Sequence, residues 1–147
     1  MTPPIHASCV AIDGYAVLLC GRSGSGKSDL ALRLLDRGAA LVSDDYTHIE
    51  TRNGIPTAFA PTTITGKIEV RNLGILDWPA LAGAPLALAI LLDAPTERMP
   101  PDPLPMREFC GAMLPVLALP AFEGSTPIKV ELAVRALIAA RDRMVAP

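Results

Sequence analysis

Short hydrophobic runs alternate with glycine-rich and helical segments in the first third of the chain. The run YAVLLC at Tyr15–Cys20 is typical of a buried strand, because it is short, apolar and followed by glycine. Apolar residues repeat at helical spacing through Ser28–Arg37, and Gly38 follows as a natural helix stop. The segment ALVS at Ala40–Ser43 predicts a second strand. The order strand, glycine loop, helix, strand indicates an α/β protein.

The later segments are less uniform, and prolines and glycines mark their limits. Asn53-Gly54 lies between two extended segments and is the dipeptide most typical of a tight hairpin turn. The predicted elements are a hairpin at Tyr46–Phe59, a less regular segment at Thr62–Trp78, a strand at Leu86–Leu92, a stiff proline-rich loop at 94–106, a strand at 116–119 and a helix at Ile128–Met144.

Composition limits the chain to a few protein classes. Its 147 residues are half hydrophobic, and this length predicts one domain spanning 1–147. The net charge is −2 and no lysine or arginine cluster exceeds a pair, so we expect neither nucleic-acid nor membrane-surface binding. The longest apolar stretch, Leu81–Leu92, is shorter than a membrane span. No signal-peptide pattern is present and the three cysteines are scattered, which favours a reducing cytoplasm.

The segment GRSGSGKS at 21–28 fits the phosphate-binding pattern G-x-x-x-x-G-K-[ST] in full, and it lies between a predicted strand and a predicted helix. Its glycines let backbone N–H groups surround phosphate oxygens, and the helix N-terminus favours an anion. Lys27 is expected to reach the β- and γ-phosphates, and the Ser28 hydroxyl to ligate Mg²⁺. The predicted ATP-binding residues are Gly21, Arg22, Ser23, Gly24, Ser25, Gly26, Lys27 and Ser28.

Two acidic positions are alternative candidates for the carboxylates that phosphoryl transfer needs in addition to the phosphate loop. Asp93 ends the apolar run LALAILLD, which is the usual appearance of a metal-side aspartate in proteins with this loop. Asp44 and Asp45 end the strand after the predicted helix, and only this pair supplies one carboxylate for the metal and a second for a base. Adjacent carboxylates also repel, which favours proton uptake by one of them. Asp93 is otherwise interpreted as a strand-end cap.

The order of these motifs resembles the catalytic domain of HPr kinase/phosphorylase, a family of protein-serine kinases with a phosphate-binding loop. The stretch GRSGSGKSDLALRLLDRGAALVSDD is similar to the family's loop, helix and Asp-Asp strand. IEVRNLGIL at 68–76 is similar to the signature I-E-[IV]-R-G-[LI]-G-I, and departs from it at Asn72. His6 precedes the first core strand, as a histidine does in the family. The resemblance covers roughly residues 6–140.

This resemblance implies an α/β P-loop kinase core with a mixed, largely β central sheet flanked by helices, of the PEP-carboxykinase-like type. It implies ATP as phosphoryl donor, Mg²⁺, HPr or an HPr-like phosphocarrier as partner, and a homo-oligomer, since the family forms hexamers. The implied roles are Asp44 as general base, Lys27 on the triphosphate, Ser28 and Glu69 on Mg²⁺, His6 and Arg71 beside the reaction centre, Asp45 in support, and Arg98 (or, alternatively, Arg107) as a further catalytic arginine.

Two departures from the family pattern bear on function. The family's N-terminal domain is expected to be absent, as in short α-proteobacterial forms. The family's arginine-rich loop P-V-R-P-G-R-N, which is linked to removal of the phosphate, corresponds here to PAFEGST at 120–126, which has Glu123 and no arginine. We therefore expect weak or absent phosphorolysis. Two other interpretations of the chain are a small-molecule kinase and a non-catalytic nucleotide-sensing module. A GTPase is not favoured, because the sequence lacks the N-K-x-D motif that reads the guanine base.

Overall fold

The computed structural model describes residues 3–145, which form ten strands, two α-helices and one short 3-10 turn. The order of elements is β1 (Ala7–Ile12), β2 (Tyr15–Cys20), α1 (Lys27–Asp36), β3 (Ala40–Ser43), β4 (His48–Arg52), β5 (Ile55–Phe59), the 3-10 turn (Thr62–Ile64), β6 (Lys67–Val70), β7 (Gly74–Asp77), β8 (Ala84–Leu91), β9 (Met106–Phe109), β10 (Ala112–Ala118) and α2 (Thr126–Val145). No helix in this part of the chain is long and apolar enough to cross a membrane.

One large mixed sheet forms the centre of the fold. Its path runs β3-β1-β2-β8-β10-β9, with β5 beside the start of β8 and β4 beside β5. Strand β8 is parallel to both β2 and β10, whereas the other pairs are antiparallel. The carboxyl ends of β2, β8 and β10 therefore meet at one edge of the sheet, which is where ligands bind in open α/β sheets. Strands β6 and β7 form a separate hairpin.

The side chains of the central strands fill two cores, one on each face of the sheet. Val17 and Leu19 point to the face covered by the helices, and Leu18 points to the opposite face, as the two-residue period of a strand requires. The helix-side core also contains Leu34 of α1 and Val134 of α2. Burial on both sides explains why the central strands are continuous apolar runs. These cores hold the edge of the sheet that carries the phosphate-binding motif.

Most predicted elements are present, and several more were not predicted. Strands β2 and β3 have the predicted bounds, and α1 begins and ends one residue earlier than predicted. The hairpin at Asn53-Gly54 and the loop at 94–106 are confirmed, although β9 begins at Met106. The interpretation of Thr62–Trp78 as less regular is wrong, because it contains the β6–β7 hairpin. Strands β1 and β9 were not predicted, and β10 begins earlier than expected.

Candidate active site

The loop after β2 forms a tight cradle that depends on glycine. Gly26 is the N-cap of α1 and has a φ of 102°, a left-handed conformation that favours glycine. A Cβ at this position would lie 2.9 Å from Cζ of Phe122 and 3.0 Å from Cβ of Ala121. The helix starts at Lys27, so the backbone N–H groups of its first turn face this cradle. The geometry suits a phosphate group.

Two polar side chains inside the cradle are buried. The Lys27 side chain is 4% exposed, and its Nζ donates to the carbonyl oxygens of Gly21 (2.8 Å) and Arg22 (3.1 Å). The Oγ of Ser25 is buried and has no hydrogen-bond partner among the described residues. This hydroxyl lies within the loop, next to Gly21. The cradle thus offers a fixed ammonium group.

Asp44 connects three parts of the site through one carboxylate. Its Oδ1 accepts hydrogen bonds from the hydroxyls of Ser28 (2.7 Å) and Ser8 (2.9 Å), and its Oδ2 accepts from the backbone N–H of Glu69 (2.9 Å). The side chain is 6% exposed. Strand β3 thus places this carboxylate between the phosphate loop and strand β6. An ionised carboxylate has about four acceptor positions, so one position on Oδ2 is left.

Asp45 faces a different partner from Asp44. Its Oδ1 lies 2.8 Å from Nε2 of His6, and its backbone N–H donates to the Oγ of Ser8 (2.9 Å). The His6 ring also stacks on Tyr46, with 5.1 Å between ring centroids. A φ of 66° at Asp45 turns the two adjacent carboxylates apart. His6 is thereby held at the site through Asp45.

A cavity of about 400 Å³ joins the phosphate loop to the β6–β7 hairpin. Glu69 and Arg71, both predicted from the signature stretch, lie at its border, as does Asn72. Asn72 has a φ of 75°, which explains how an asparagine can replace the signature glycine, since asparagine tolerates the left-handed region better than other residues. The lining residues are Ser23, Gly24, Gly26, Lys27, Ser28, Asp29, Leu32, Asp45, Glu69, Val70, Arg71, Asn72 and Phe122.

Several predicted residues do not border this cavity, and the same holds for the alternative acidic residue Asp93. These predicted residues are His6, Gly21, Arg22, Ser25, Asp44, Arg98 and Arg107. Asp93 follows β8, and its Oδ2 accepts a hydrogen bond from the backbone N–H of Arg22 (3.0 Å) and contacts Nε of the same residue (3.4 Å). It therefore fastens the start of the phosphate loop. Arg98 is exposed in the loop between β8 and β9, and Arg107 lies on β9 beside a second cavity. Neither arginine is brought to the cavity of the phosphate loop.

Sequence reasoning did not identify three residues that shape the site. Ser8 orients both acidic residues, and a polar residue inside the apolar segment ASCVAI was the signal for it. Phe122 lines the cavity although it lies in a loop that was considered only for its missing arginines. Arg33 donates from Nη1 to the carbonyl of Glu123 (3.1 Å) and from Nη2 to that of Ala121. Such a contact across the fold leaves no local sequence pattern.

The oxygen donors at the site suit Mg²⁺ chemically. Ser28 and Glu69 border the same cavity, and Asp44 accepts a hydrogen bond from Ser28. Mg²⁺ is commonly held by one or two protein oxygens together with substrate phosphates and water, so a complete protein cage is not required. Ser28 and Glu69 are thus the residues that would hold the ion.

The mixed sheet with a phosphate loop at its carboxyl edge is a P-loop kinase fold. The model of the HPr Serine kinase C-terminal domain matches residues 2–142, and the chain belongs to this family. The chain is similar to a solved structure of the Hpr(Ser) kinase/phosphatase from Coxiella burnetii, with a TM-score of 0.83 and 27% identity over 97% of this chain and 94% of that chain.

Curated relatives carry the same family name. The chain is 42% identical over 79 residues to HPr kinase/phosphorylase of Clostridium novyi, which is 54% of this chain and 26% of the relative. It is 41% identical over 86 residues to HPr kinase/phosphorylase of Clostridium tetani, which is 58% of this chain and 28% of the relative. The chain thus spans about a quarter of the length of the curated relatives that it matches.

Proposed function

We propose that this protein is an ATP-dependent protein-serine kinase that phosphorylates HPr or an HPr-like phosphocarrier. The observation that carries the proposal is the carboxylate of Asp44, which contacts the phosphate-loop hydroxyl of Ser28 and the backbone of Glu69. A phosphate loop alone indicates nucleotide binding. Transfer to a hydroxyl also needs a carboxylate held beside the phosphate loop that can act as the base. Family membership supports the same reaction.

We assign each residue a role that is consistent with its position. Lys27 and the backbone N–H groups around Gly26 bind the triphosphate, and Ser28 and Glu69 hold Mg²⁺. The ion, when bound, neutralises charge on the β- and γ-phosphates during transfer. The remaining acceptor position on Oδ2 of Asp44 takes the proton of the acceptor serine. Ser8 fixes this carboxylate by donating to its other oxygen, so the base does not rotate.

The charge of the cavity supports transfer from ATP over phosphorolysis, the removal of the phosphate by inorganic phosphate. Two cationic side chains border the cavity, Lys27 and Arg71, against three carboxylates, Asp29, Asp45 and Glu69. Phosphorolysis brings an inorganic phosphate against a phosphoserine, so it needs additional positive charge. We therefore propose that phosphorolysis is weak in this protein.

The test is transfer to a purified carrier. The protein is incubated with MgATP and HPr, and intact-mass spectrometry counts the phosphates on HPr, while peptide mapping locates them. We expect one phosphate on a serine, and none when that serine is replaced by alanine in the carrier. ATP hydrolysis with no phosphate on HPr or on an HPr-like carrier encoded near this protein's gene contradicts the proposal and favours a nucleotide-sensing module.

A further inference from the structure

Phe122 is an exposed aromatic residue at the mouth of the phosphate-binding cavity. Its side chain is 69% exposed, although an apolar ring of this size is usually covered. The tip of the ring lies over Gly26, where a Cβ would be 2.9 Å from Cζ and 3.0 Å from Cε1. Phe122 borders the cavity together with Leu32 of α1. The proposed chemistry of phosphate transfer does not use this ring.

The backbone on both sides of Phe122 is held in place. Arg33 donates to the carbonyls of Ala121 and Glu123, the residues that flank Phe122, and its Nε also donates to Asp29 (3.0 Å). The hydroxyl of Thr126 donates to the carbonyl of Pro120 at the other end of the loop. The bonds of Arg33 link the loop to helix α1, and the bond of Thr126 links it to the start of α2. The ring is therefore presented from a fixed backbone, which lowers the entropic cost of binding a flat ligand.

The position of the loop in the fold points to the ligand. Phe122 follows β10, whose carboxyl end lies at the same sheet edge as that of β2, two strands away across β8. Phosphates bound in the loop after β2 would leave the rest of the nucleotide to extend from the start of α1 along this edge. Leu32 lies one helical turn beyond Ser28 and borders the same cavity. The apolar end of the cavity is thus next to its phosphate end.

We propose that Phe122 is the stacking platform for the nucleobase of the bound nucleoside triphosphate. This inference rests on the proposed function only in that it requires a nucleotide at the phosphate loop. Every base has a π-face, so stacking on phenylalanine tolerates adenine and guanine alike. The residue thereby adds affinity for nucleotides over inorganic polyphosphate, and selects the base only weakly.

Binding measurements on Phe122→Ala test the proposal. Calorimetry with Mg²⁺ is run with ATP, GTP and inorganic tripolyphosphate, which shares the phosphates and lacks the base. We expect both nucleotides to bind about tenfold more weakly, the usual loss for one aromatic stacking partner, while tripolyphosphate affinity is unchanged. Phe122→Trp should retain nucleotide affinity, and its added fluorescence should be quenched by ATP but not by tripolyphosphate.

The control variant is Leu132→Ala, which truncates an apolar side chain that is 61% exposed on α2 and does not border the cavity. It should change none of the three affinities. Equal losses for ATP and tripolyphosphate in Phe122→Ala would mean that the ring only supports Gly26, and would overturn the proposal. So would unchanged affinity for both nucleotides. Because these assays measure binding alone, they are independent of whether HPr is the acceptor.

Discussion

Asp44 and Asp93 both follow buried strands, yet they have different partners. Asp44 contacts the hydroxyl of Ser28 and retains one acceptor position on Oδ2, whereas Asp93 accepts from the backbone N–H of Arg22. The first arrangement suits proton transfer at the phosphate end of the site. The second holds the shape of the loop. Hydropathy alone does not separate the two, because both residues end apolar strands.

Replacing Asp44 by asparagine keeps the shape of the side chain and removes its ability to accept a proton. We expect ATP affinity close to that of the wild type and a transfer rate lowered roughly 10²–10⁴-fold, the usual range for general base catalysis. Asp93→Asn is the matched comparison, and its effect should be mild, because an amide oxygen still accepts from the Arg22 N–H. Single-turnover transfer with labelled ATP measures both, and a larger loss in Asp93→Asn would reverse the assignment.

Cys20 ends β2 immediately before the phosphate loop, and burial raises the pKa of its thiol from the usual 9.0 to about 12. Burial also raises the pKa of the Cys9 thiol, whereas Cys110 is exposed. The thiolate is the reactive form of cysteine. At about pH 8 we therefore expect a disulfide reagent to modify one thiol rapidly, that of Cys110. Cys110→Ala should remove the fast phase, and rapid modification of Cys20 would contradict this expectation.

The raised pKa of Cys20 also has a consequence for stability. Between the pKa of the unfolded state, near 9.0, and that of the folded state, near 12, the folded protein keeps the Cys20 proton that the unfolded chain loses. The contribution of Cys20 to stability is therefore complete below pH 9.0 and is lost as the pH rises towards 12. The free energy of unfolding should therefore decrease with pH in that window. Urea unfolding of the wild type and of Cys20→Ala should show a smaller alkaline decrease in the variant.

The hairpin of β6 and β7 presents Glu69 and Arg71 to the cavity, and its turn depends on Asn72. Since a left-handed conformation costs most residues roughly 1–2 kcal/mol, Asn72→Ala should destabilise the protein by about 1 kcal/mol, and Asn72→Gly should not. Asn72→Ala should also lower the transfer rate, because Glu69 and Arg71 lose their fixed positions. Urea unfolding and kcat measure the two effects.

The other hairpin supplies the matched control. Asn53 has a φ of 53° in the turn between β4 and β5, and it does not border the cavity. Asn53→Ala should cost similar stability and leave kcat unchanged. If kcat decreased in both alanine variants, the cause would be a general loss of stability. Displacement of the β6–β7 hairpin would then not be the explanation.

Burial explains only part of what the sequence predicts about these elements, because the fully buried strand β1 was not predicted either. Strands β2 and β3 are buried on both faces of the sheet, so apolar runs in the sequence mark where they begin and end. Strand β7 and strand β9 are mostly exposed, so hydrophobic runs do not mark them. Most residues that line the cavity lie in the motifs at 21–28 and 68–76, whereas Phe122 lies in neither. Contacts such as Ser8 with Asp44 and Arg33 with Ala121 were beyond sequence reasoning, because they join segments that are distant along the chain.

At the scale of the whole molecule, the fold places the loop after β10 against the phosphate loop. The charge of the loop after β10 affects whether transfer from ATP or phosphorolysis is favoured. Its residue at the cavity is Phe122, and the nearby cation Arg33 is already paired with Asp29 and with backbone carbonyls. In transfer from ATP, bound Mg²⁺ would offset part of the charge on the phosphates. Attack of phosphate on phosphoserine brings two dianions together and needs additional positive charge. We therefore expect this loop to favour transfer from ATP over phosphorolysis.

The corresponding prediction is that phosphorolysis by the wild type is far slower than transfer from ATP. Pyrophosphate release from phosphoserine-HPr and millimolar phosphate measures it. Phe122→Arg combined with Ser125→Arg adds cations to the loop and should raise this rate by about tenfold or more, because one added donor to a developing anion has effects of at least that size. Glu123→Gln removes a negative charge without adding a cation and should raise it less. Since this reaction uses no nucleotide, loss of base stacking cannot mask the gain. A wild-type rate comparable to the forward rate would mean that Arg71, or an arginine such as Arg98 or Arg107 brought in by movement, already screens the incoming phosphate.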